Sequence, residues 1–120
     1  MTGKLSRWAG EEVQRLLRQL PAPLRARAAE LPIVLQDRPT DGQVADGVDP
    51  DLMGLFEGDA YAESSGDLLP ARVYLFLENI WLEAGEDPAI FRDEVRVTLM
   101  HELGHYLGLD EDDLADRGLE

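Results

Sequence analysis

The rest of this 120-residue chain is arranged around the stretch His101-Glu102-Leu103-Gly104-His105-Tyr106-Leu107-Gly108-Leu109-Asp110-Glu111, which has the pattern H-E-x-x-H-x-x-G-x-x-E. It contains both histidines of the chain. Residues four apart lie on one face of an α-helix, so the two imidazoles can reach one metal ion. Zinc binds imidazole nitrogen at about 2.0–2.1 Å, and such a pair supplies half of a tetrahedral shell. Glu102 lies roughly 100° round the helix from His101, where it can flank the ion without binding it.

A third protein ligand must come from elsewhere, because two histidines leave a zinc shell incomplete. An acidic run follows Gly108, and a glycine turn there would let the chain fold back toward the ion. Glu111, three residues beyond the turn, is the favoured ligand. Asp110 competes with it, although Asp110 can instead cap a short helix over residues 111–115.

The two histidines and Glu102 together predict hydrolysis assisted by zinc. An ion held by His101 and His105 would lower the pKa of a bound water toward neutrality and polarise a substrate carbonyl. Glu102 would accept the proton of that water and deliver it to the leaving amine. Two other interpretations stay open: a zinc site that is structural or catalytically idle, and a metal-free amphipathic helix with two core histidines. The second is disfavoured because a buried carboxylate facing two imidazoles is costly without a cation.

Composition limits the classes of function that the chain can have. Its length fits one domain over residues 1–120, and a hydrophobic fraction of 44% is enough for one modest core. A formal net charge of −14 repels phosphate backbones and anionic membranes, which argues against nucleic-acid and membrane partners. The absence of cysteine excludes disulfides, thiolate zinc ligands and a thiol nucleophile. With neither a secretory signal nor a long apolar run, we expect a cytoplasmic protein.

Hydrophobic periodicity and turn residues predict an α+β domain. The expected elements are an N-terminal helix over residues 7–19 capped by Ser6, a helical turn over 24–30, strands over 33–35, 52–57 and 72–77, and a long helix from Pro88 to Leu107. The strand over 72–77 is apolar on both faces and should be central, whereas Gly54 weakens the strand over 52–57 and suits an edge. Residues 38–51 are expected to be loop. Residues 78–86 match no single pattern, although Trp81 should anchor them on the core.

The long helix should carry both histidines. Asp87 is expected to cap it, with Pro88 at its first position, and Gly108 is expected to end it in the left-handed conformation. Its apolar side is formed by Phe91, Val95, Leu99, Leu103 and Tyr106. The imidazole pair then lies in the last two turns of a buried, rigid element, which can hold a metal site accurately.

Several segments of the chain resemble the small bacterial zincin-like metallopeptidases. The resemblance covers most of the chain and is carried by Gln19-Leu20-Pro21, Met53–Gly58, Leu69-Pro70, the Val73–Leu77 strand and, most specifically, the stretch from His101 to Leu114. It implies a minimal zincin-like fold, in which a small mixed β-sheet packs on a long active-site helix and an N-terminal helix. It also implies zinc on His101, His105 and an acidic residue after Gly108, with Glu102 as general base. A peptide or protein substrate would add to the edge strand over residues 52–57.

The chain also departs from related families in ways that bear on its partners. Metzincins have a histidine or aspartate where this chain has Glu111, and no methionine follows Met100 to form their methionine turn. The chain lacks a second subdomain to wall the cleft, so a protein partner could complete it. A metal-dependent endoribonuclease of the bacterial rRNA-maturation type shares the first two histidines and Gly108. This alternative is weaker, because its third histidine is Glu111 here, Glu102 would have no clear use, and the net charge opposes RNA.

Overall fold

Helices and strands account for most of residues 2–58 and 71–108, which are the residues that the computed structural model describes. Within these ranges there are five helices and three strands, in the order α1 (Thr2–Gln19), α2 (Ala22–Ala28), β1 (Ile33–Gln36), α3 (Asp41–Ala45), β2 (Gly54–Glu57), β3 (Arg72–Phe76), α4 (Leu77–Glu83) and α5 (Pro88–Leu107). The predicted α+β class is confirmed, with a small mixed sheet packed on a long helix.

β3 is the central strand of a three-stranded sheet in the order β1-β3-β2. It runs parallel to β1, with Val73 opposite Ile33, and antiparallel to β2, with Leu75 opposite Gly54. Val73 and Leu75 share one face of the strand and are fully buried, whereas Tyr74 on the other face is half-buried. The predicted central position of β3 and edge position of β2 are both confirmed. Among the described strands, β3 pairs with two neighbours and β2 pairs with β3 alone.

α5 is the longest of the described helices, and its ends follow the predicted capping residues. The Asp87 carboxylate accepts a hydrogen bond from the Ile90 amide at 3.0 Å, Pro88 lies in the first turn, and Gly108 follows the last turn with φ 72°. The apolar side is buried as predicted at Phe91, Val95, Leu99, Leu103 and Tyr106. α5 contacts α1 as well as β2 and β3, so it lies at the centre of the core.

α1 begins at Thr2, five residues before the predicted start, so Ser6 is not its N-cap. The helix is longer than predicted because its apolar stripe continues to Leu5, which is fully buried in the core. Trp8 of the same helix meets Phe91 and Trp81, with ring centroids 6.2 and 6.0 Å away. The predicted role of Trp81 as an anchor on the core is confirmed by this cluster.

Several boundaries differ from the predicted ones. α2 and β2 each begin two residues from the expected position, and Leu77 starts α4 instead of ending β3. Residues 38–51 are not all loop, because Thr40 and Gln43 form a capping box that starts the short helix α3. A helix that needs its tertiary neighbours, such as α4, has little periodicity of its own to detect.

α4 also holds the segment that leads into β2. The Asn79 side-chain amide donates hydrogen bonds to the carbonyl oxygens of Pro50 and Leu52, at 2.8 and 2.9 Å. Asn79 is buried, so both bonds are shielded from water. The short helix expected over residues 111–115 lies outside the described residues. Among the described helices, none has the length and apolar character needed to cross a bilayer.

Candidate metal centre

The last two turns of α5 bring His101, Glu102 and His105 together. One ligand atom from each side chain lies within 4.8 Å of the other two. The two imidazole rings have centroids 4.9 Å apart and planes at 88° to each other. The pairing follows from the helix itself, because residues i and i+4 project from one face. In residues 2–58 and 71–108 this is the one cluster of three histidine or acidic side chains that could hold a metal ion.

Both imidazoles are exposed, although the helix that carries them is buried along its apolar side. Leu103, which lies between them in sequence, is fully buried. The interpretation that His101 and His105 are core histidines is therefore wrong. An exposed pair of imidazoles has the solvent access that a metal with an exchangeable ligand requires.

Glu102 is half-buried beside the two imidazoles. Burial raises the pKa of its carboxyl above the ordinary value, while His105 and His101 act in the opposite direction. The net change is upward, so desolvation outweighs the two imidazoles. A carboxylate with a raised pKa is a stronger proton acceptor than an exposed one, because its conjugate acid holds the proton more firmly.

The close approach of β2 accounts for part of this burial. A Cβ atom built on Gly54 would lie 2.6 Å from Thr98 Cγ2 and 3.3 Å from Glu102 Cγ. Phe56 is two residues further along and lies on the same face of the strand. Its ring centroid is 6.5 Å from that of His105, with 19° between the planes. The edge strand therefore forms one wall of the cluster.

The model of one protein family matches the chain over residues 28–119, and the description of that family is zincin-like metallopeptidase. The match covers most of the chain and includes the whole H-E-x-x-H stretch. The chain belongs to this zincin-like family. The predicted resemblance to zincin-like metallopeptidases is thereby confirmed, and α1 precedes the matched region. A search of the curated proteins found no sequence that matches the chain.

The donor atoms of this zincin-like chain fit zinc. Imidazole nitrogen and carboxylate oxygen are among the ligands that zinc takes in proteins, at about 2.0–2.2 Å. The ligand atoms of the two proposed histidine ligands, His101 and His105, lie within 4.8 Å of each other, which is close to the separation of about 4 Å between two ligands of one ion. Zinc is also the metal that the zincin family implies, so the predicted cofactor is supported by both the family and the site.

The predicted third ligand of the zincin-like site, Glu111, lies outside the described residues, as does its competitor Asp110. The choice between them stays a prediction. Leu69-Pro70, which contributed to the resemblance, also lies outside the described residues.

Sequence reasoning missed the part of the zincin-like site that β2 contributes. A glycine inside a strand is a signal that another element approaches the backbone closely, whereas Gly54 was predicted only to weaken an edge strand. Hydrophobic periodicity reports only on residues that are close in sequence. It therefore cannot indicate that α5 approaches Gly54, since Gly54 lies far from Glu102 in the chain. Thr98 carried no signal of its own, and Phe56 entered the prediction only as part of the strand over residues 52–57 and of the Met53–Gly58 segment of the resemblance.

Proposed function

We propose that this chain is a zinc-dependent metallopeptidase that hydrolyses peptide bonds. The observation that carries the proposal is an exposed pair of imidazoles one helical turn apart, with the half-buried carboxylate of Glu102 beside them. Membership of the zincin-like metallopeptidase family supports the same reaction. In this proposal residues 1–120 act as one domain, because the buried residues of α1 and α5 belong to one core cluster.

His101 and His105 would hold the zinc ion, and Glu111 would be the third ligand in preference to Asp110. Two histidines and one glutamate form a three-ligand set that is known at catalytic zinc sites, where a fourth position stays open. Zinc bound there supplies Lewis acidity, which lowers the pKa of water and polarises the carbonyl group of the scissile bond.

Glu102 would act first as a general base and then as a general acid. Its carboxylate accepts a proton from the attacking water as the water oxygen bonds to the carbonyl carbon. It then donates that proton to the amide nitrogen as the C–N bond breaks, so one water is added across one peptide bond. Glu102 suits both steps by its position, because its carboxylate lies within 4.8 Å of a ligand atom of each imidazole.

The inferred substrate is an extended peptide or protein segment that pairs with the outer edge of β2. The Phe76 amide donates to the Met53 carbonyl oxygen at 2.9 Å. Backbone groups of an antiparallel strand alternate in direction, so those of Gly54 and Phe56 face away from β3. They can therefore form main-chain hydrogen bonds with a substrate strand. Recognition through the backbone places a peptide bond beside Glu102 whatever the side chains of the substrate are.

Metal content is the first test of the proposal. The full-length protein, purified in metal-free buffers and then loaded with zinc, is expected to hold one zinc per chain by elemental analysis. His101→Ala should lose it. Val97→Ala is the matched control, because Val97 is exposed, lies one turn before His101 on α5 and offers no ligand atom. Equal zinc in the wild type and in His101→Ala would place the ion elsewhere and contradict the proposed site.

Hydrolysis is the second test. A broad peptide library incubated with the zinc-loaded protein is expected to show cleavage products by mass spectrometry, and a chelator should suppress them. Zinc bound through His101 without any cleavage would contradict a peptidase and favour an idle zinc-binding or interaction domain. Cleavage that is unchanged by the chelator and by Glu102→Gln would point to a contaminating peptidase.

A further inference from the structure

The two residues of β2 that face α5 each lie beside a different member of the cluster: Gly54 beside Glu102, and Phe56 beside His105. We propose that Gly54 and Phe56 are positioning residues: Gly54 sets the depth at which Glu102 sits, and Phe56 fixes the orientation of the His105 ring. The inference rests on the proposed function, and it assigns to the edge strand a task besides pairing with substrate. Both residues act through other groups, so neither is a catalytic residue.

Gly54 is required by space. A Cβ atom at this position would lie 2.6 Å from Thr98 Cγ2, and Cβ atoms in proteins essentially never approach another atom within 3.0 Å. The same Cβ atom would lie 3.3 Å from Cγ and 3.6 Å from Oε1 of Glu102. Thr98 is buried and cannot turn aside into solvent. A methyl group would therefore move β2 away from α5 or turn the Glu102 carboxylate out of its half-buried position.

Phe56 contacts the other side of the cluster. Its ring is offset-stacked on that of His105, with 6.5 Å between centroids and 19° between planes. It also meets Tyr106, with centroids 6.1 Å apart at 51°. An imidazole on a helix surface is otherwise able to rotate about its side-chain torsions. The stacking limits that rotation and holds the His105 ring nearly perpendicular to the ring of His101, which preorganises the pair for one ion.

The strand can perform both tasks because its side chains alternate. Gly54 and Phe56 share one face, whereas Leu55 lies on the other face, opposite Tyr74 of β3. One strand therefore positions two groups. Gly54 leaves room for the Glu102 carboxylate because it has no side chain, and the Phe56 ring orients the imidazole of His105. A misplacement of about 1 Å at a reacting group can reduce the rate about 100-fold, so small shifts of β2 should be visible in kinetics.

Gly54→Ala tests the first half of the inference. We expect it to keep its zinc and to lower kcat about tenfold or more, measured on a peptide that the wild type cleaves, with a smaller change in KM. Thr98→Ser removes the closest contact, so the double variant Gly54→Ala with Thr98→Ser should recover stability and part of kcat. If Gly54→Ala alone does not fold, the kcat of this double variant tests the role of Gly54 instead. Gly10→Ala is the control, because no atom lies within 4 Å of a Cβ built there. A wild-type kcat in Gly54→Ala would overturn the role of Gly54.

Phe56→Leu tests the second half without any activity measurement. Residues that orient a metal ligand change metal affinity about tenfold or more when replaced. Zinc affinity, measured by competition with a chromophoric chelator, should fall by that amount in Phe56→Leu and stay at the wild-type level in Phe56→Tyr. Tyr74→Leu is the matched control, since it removes an aromatic ring from the other face of the same sheet and should leave zinc affinity unchanged.

The two arms separate failure of this inference from failure of the proposed function. If the wild type cleaves no peptide, the peptidase proposal fails, yet the zinc affinities of the Phe56 variants still decide the role of Phe56. The position of the Glu102 carboxylate in a crystal structure of Gly54→Ala then decides the role of Gly54, and an unmoved carboxylate would overturn it. If the wild type cleaves peptides but Phe56→Leu binds zinc as tightly as the wild type, the role of Phe56 is overturned while the peptidase proposal stands.

Discussion

Two carboxylates at α5 differ in the charged groups around them: Glu12, which packs against α5 from α1, and Glu102, which belongs to α5 itself. Glu12 is 1% exposed. Its oxygens lie 3.1 Å from Arg15 Nη1, 3.6 Å from Arg96 Nη1 and 3.9 Å from Arg92 Nη1. Burying a charge in this way is costly unless it is paired, and three guanidinium groups provide that pairing. The role of Glu12 is therefore structural: it helps to join α1 to α5.

In the part of the chain that the structure describes, Glu102 has no comparable partners on the side of α5 that faces β2. Within residues 2–58 and 71–108, no lysine or arginine forms an ion pair with it. Two imidazoles are its neighbours, and burial raises its pKa. Within the described residues, arginines balance the charge of Glu12, whereas Glu102 has two imidazoles beside it and no arginine or lysine paired with it. Four experiments would sharpen or break this distinction.

The largest effect is expected from Glu102→Gln in the zinc-loaded protein. Loss of a general acid–base group should lower kcat about 10²- to 10⁴-fold, while zinc content stays at the wild-type level because Glu102 is not a proposed ligand. Initial rates on a library-selected peptide and elemental analysis measure the two quantities. Glu83→Gln, an equal charge change on the exposed surface of α4, should have no effect. A variant that keeps its rate would place Glu102 with Glu12 among the structural carboxylates.

Zinc binding is expected to stabilise the fold. At a free zinc concentration 100 times its Kd, the free energy of unfolding should rise by about 2.7 kcal/mol, since the ion binds the folded chain preferentially. Urea denaturation with and without zinc measures this rise. His101→Ala should remove it, whereas Glu12→Gln should retain it because Glu12 contacts a different part of α5. An undiminished rise in His101→Ala would show that the ion binds outside the cluster.

Glu12→Gln should lower the free energy of unfolding by about 1–3 kcal/mol, because a neutral amide cannot balance the arginines that surround the buried carboxylate. Glu11→Gln is the matched control on the same turn of α1. Its side chain is 52% exposed and pairs with Arg92 at 2.8 Å, so its loss should cost about 0–1 kcal/mol. Urea denaturation in the presence of a chelator compares the two. If Glu12→Gln and Glu11→Gln lowered the free energy of unfolding equally, the buried ion pairs of Glu12 would stabilise the fold no more than the surface pair of Glu11.

The smallest effect is expected from Glu102→Gln in the metal-free protein, and it has the opposite sign. Because the folded-state pKa of Glu102 is raised, folding disfavours its ionisation. The cost is absent below the unfolded-state value of about 4.5, grows as the pH rises through the folded-state pKa and is complete above it. The variant should therefore melt at a higher temperature than the wild type at pH 7, and the gap should close on acidification. A variant that melts lower at pH 7 would mean that the Glu102 charge is already balanced.

Local signals in the sequence were enough to predict α5. The cap at Asp87, the first-turn Pro88, the buried residues at helical spacing and the left-handed Gly108 are all confirmed, since each depends on neighbours within one or two turns. The start of α1 and the existence of α4 were missed. Both depend on burial against other elements: Leu5 extends α1 into the core, and α4 is held between α1 and α5.

By itself, the sequence determined that two imidazoles and a carboxylate would meet at the end of one helix, because a separation of four residues fixes that geometry in any α-helix. It also determined the family and the metal that the family implies. The tertiary structure decided which groups surround them: the glycine of β2 against Glu102, the Phe56 ring on His105 and the arginines around Glu12. Those contacts join residues that are far apart in the chain. The periodicity of a helix or strand shows which of its faces is apolar, but not which other element packs against that face.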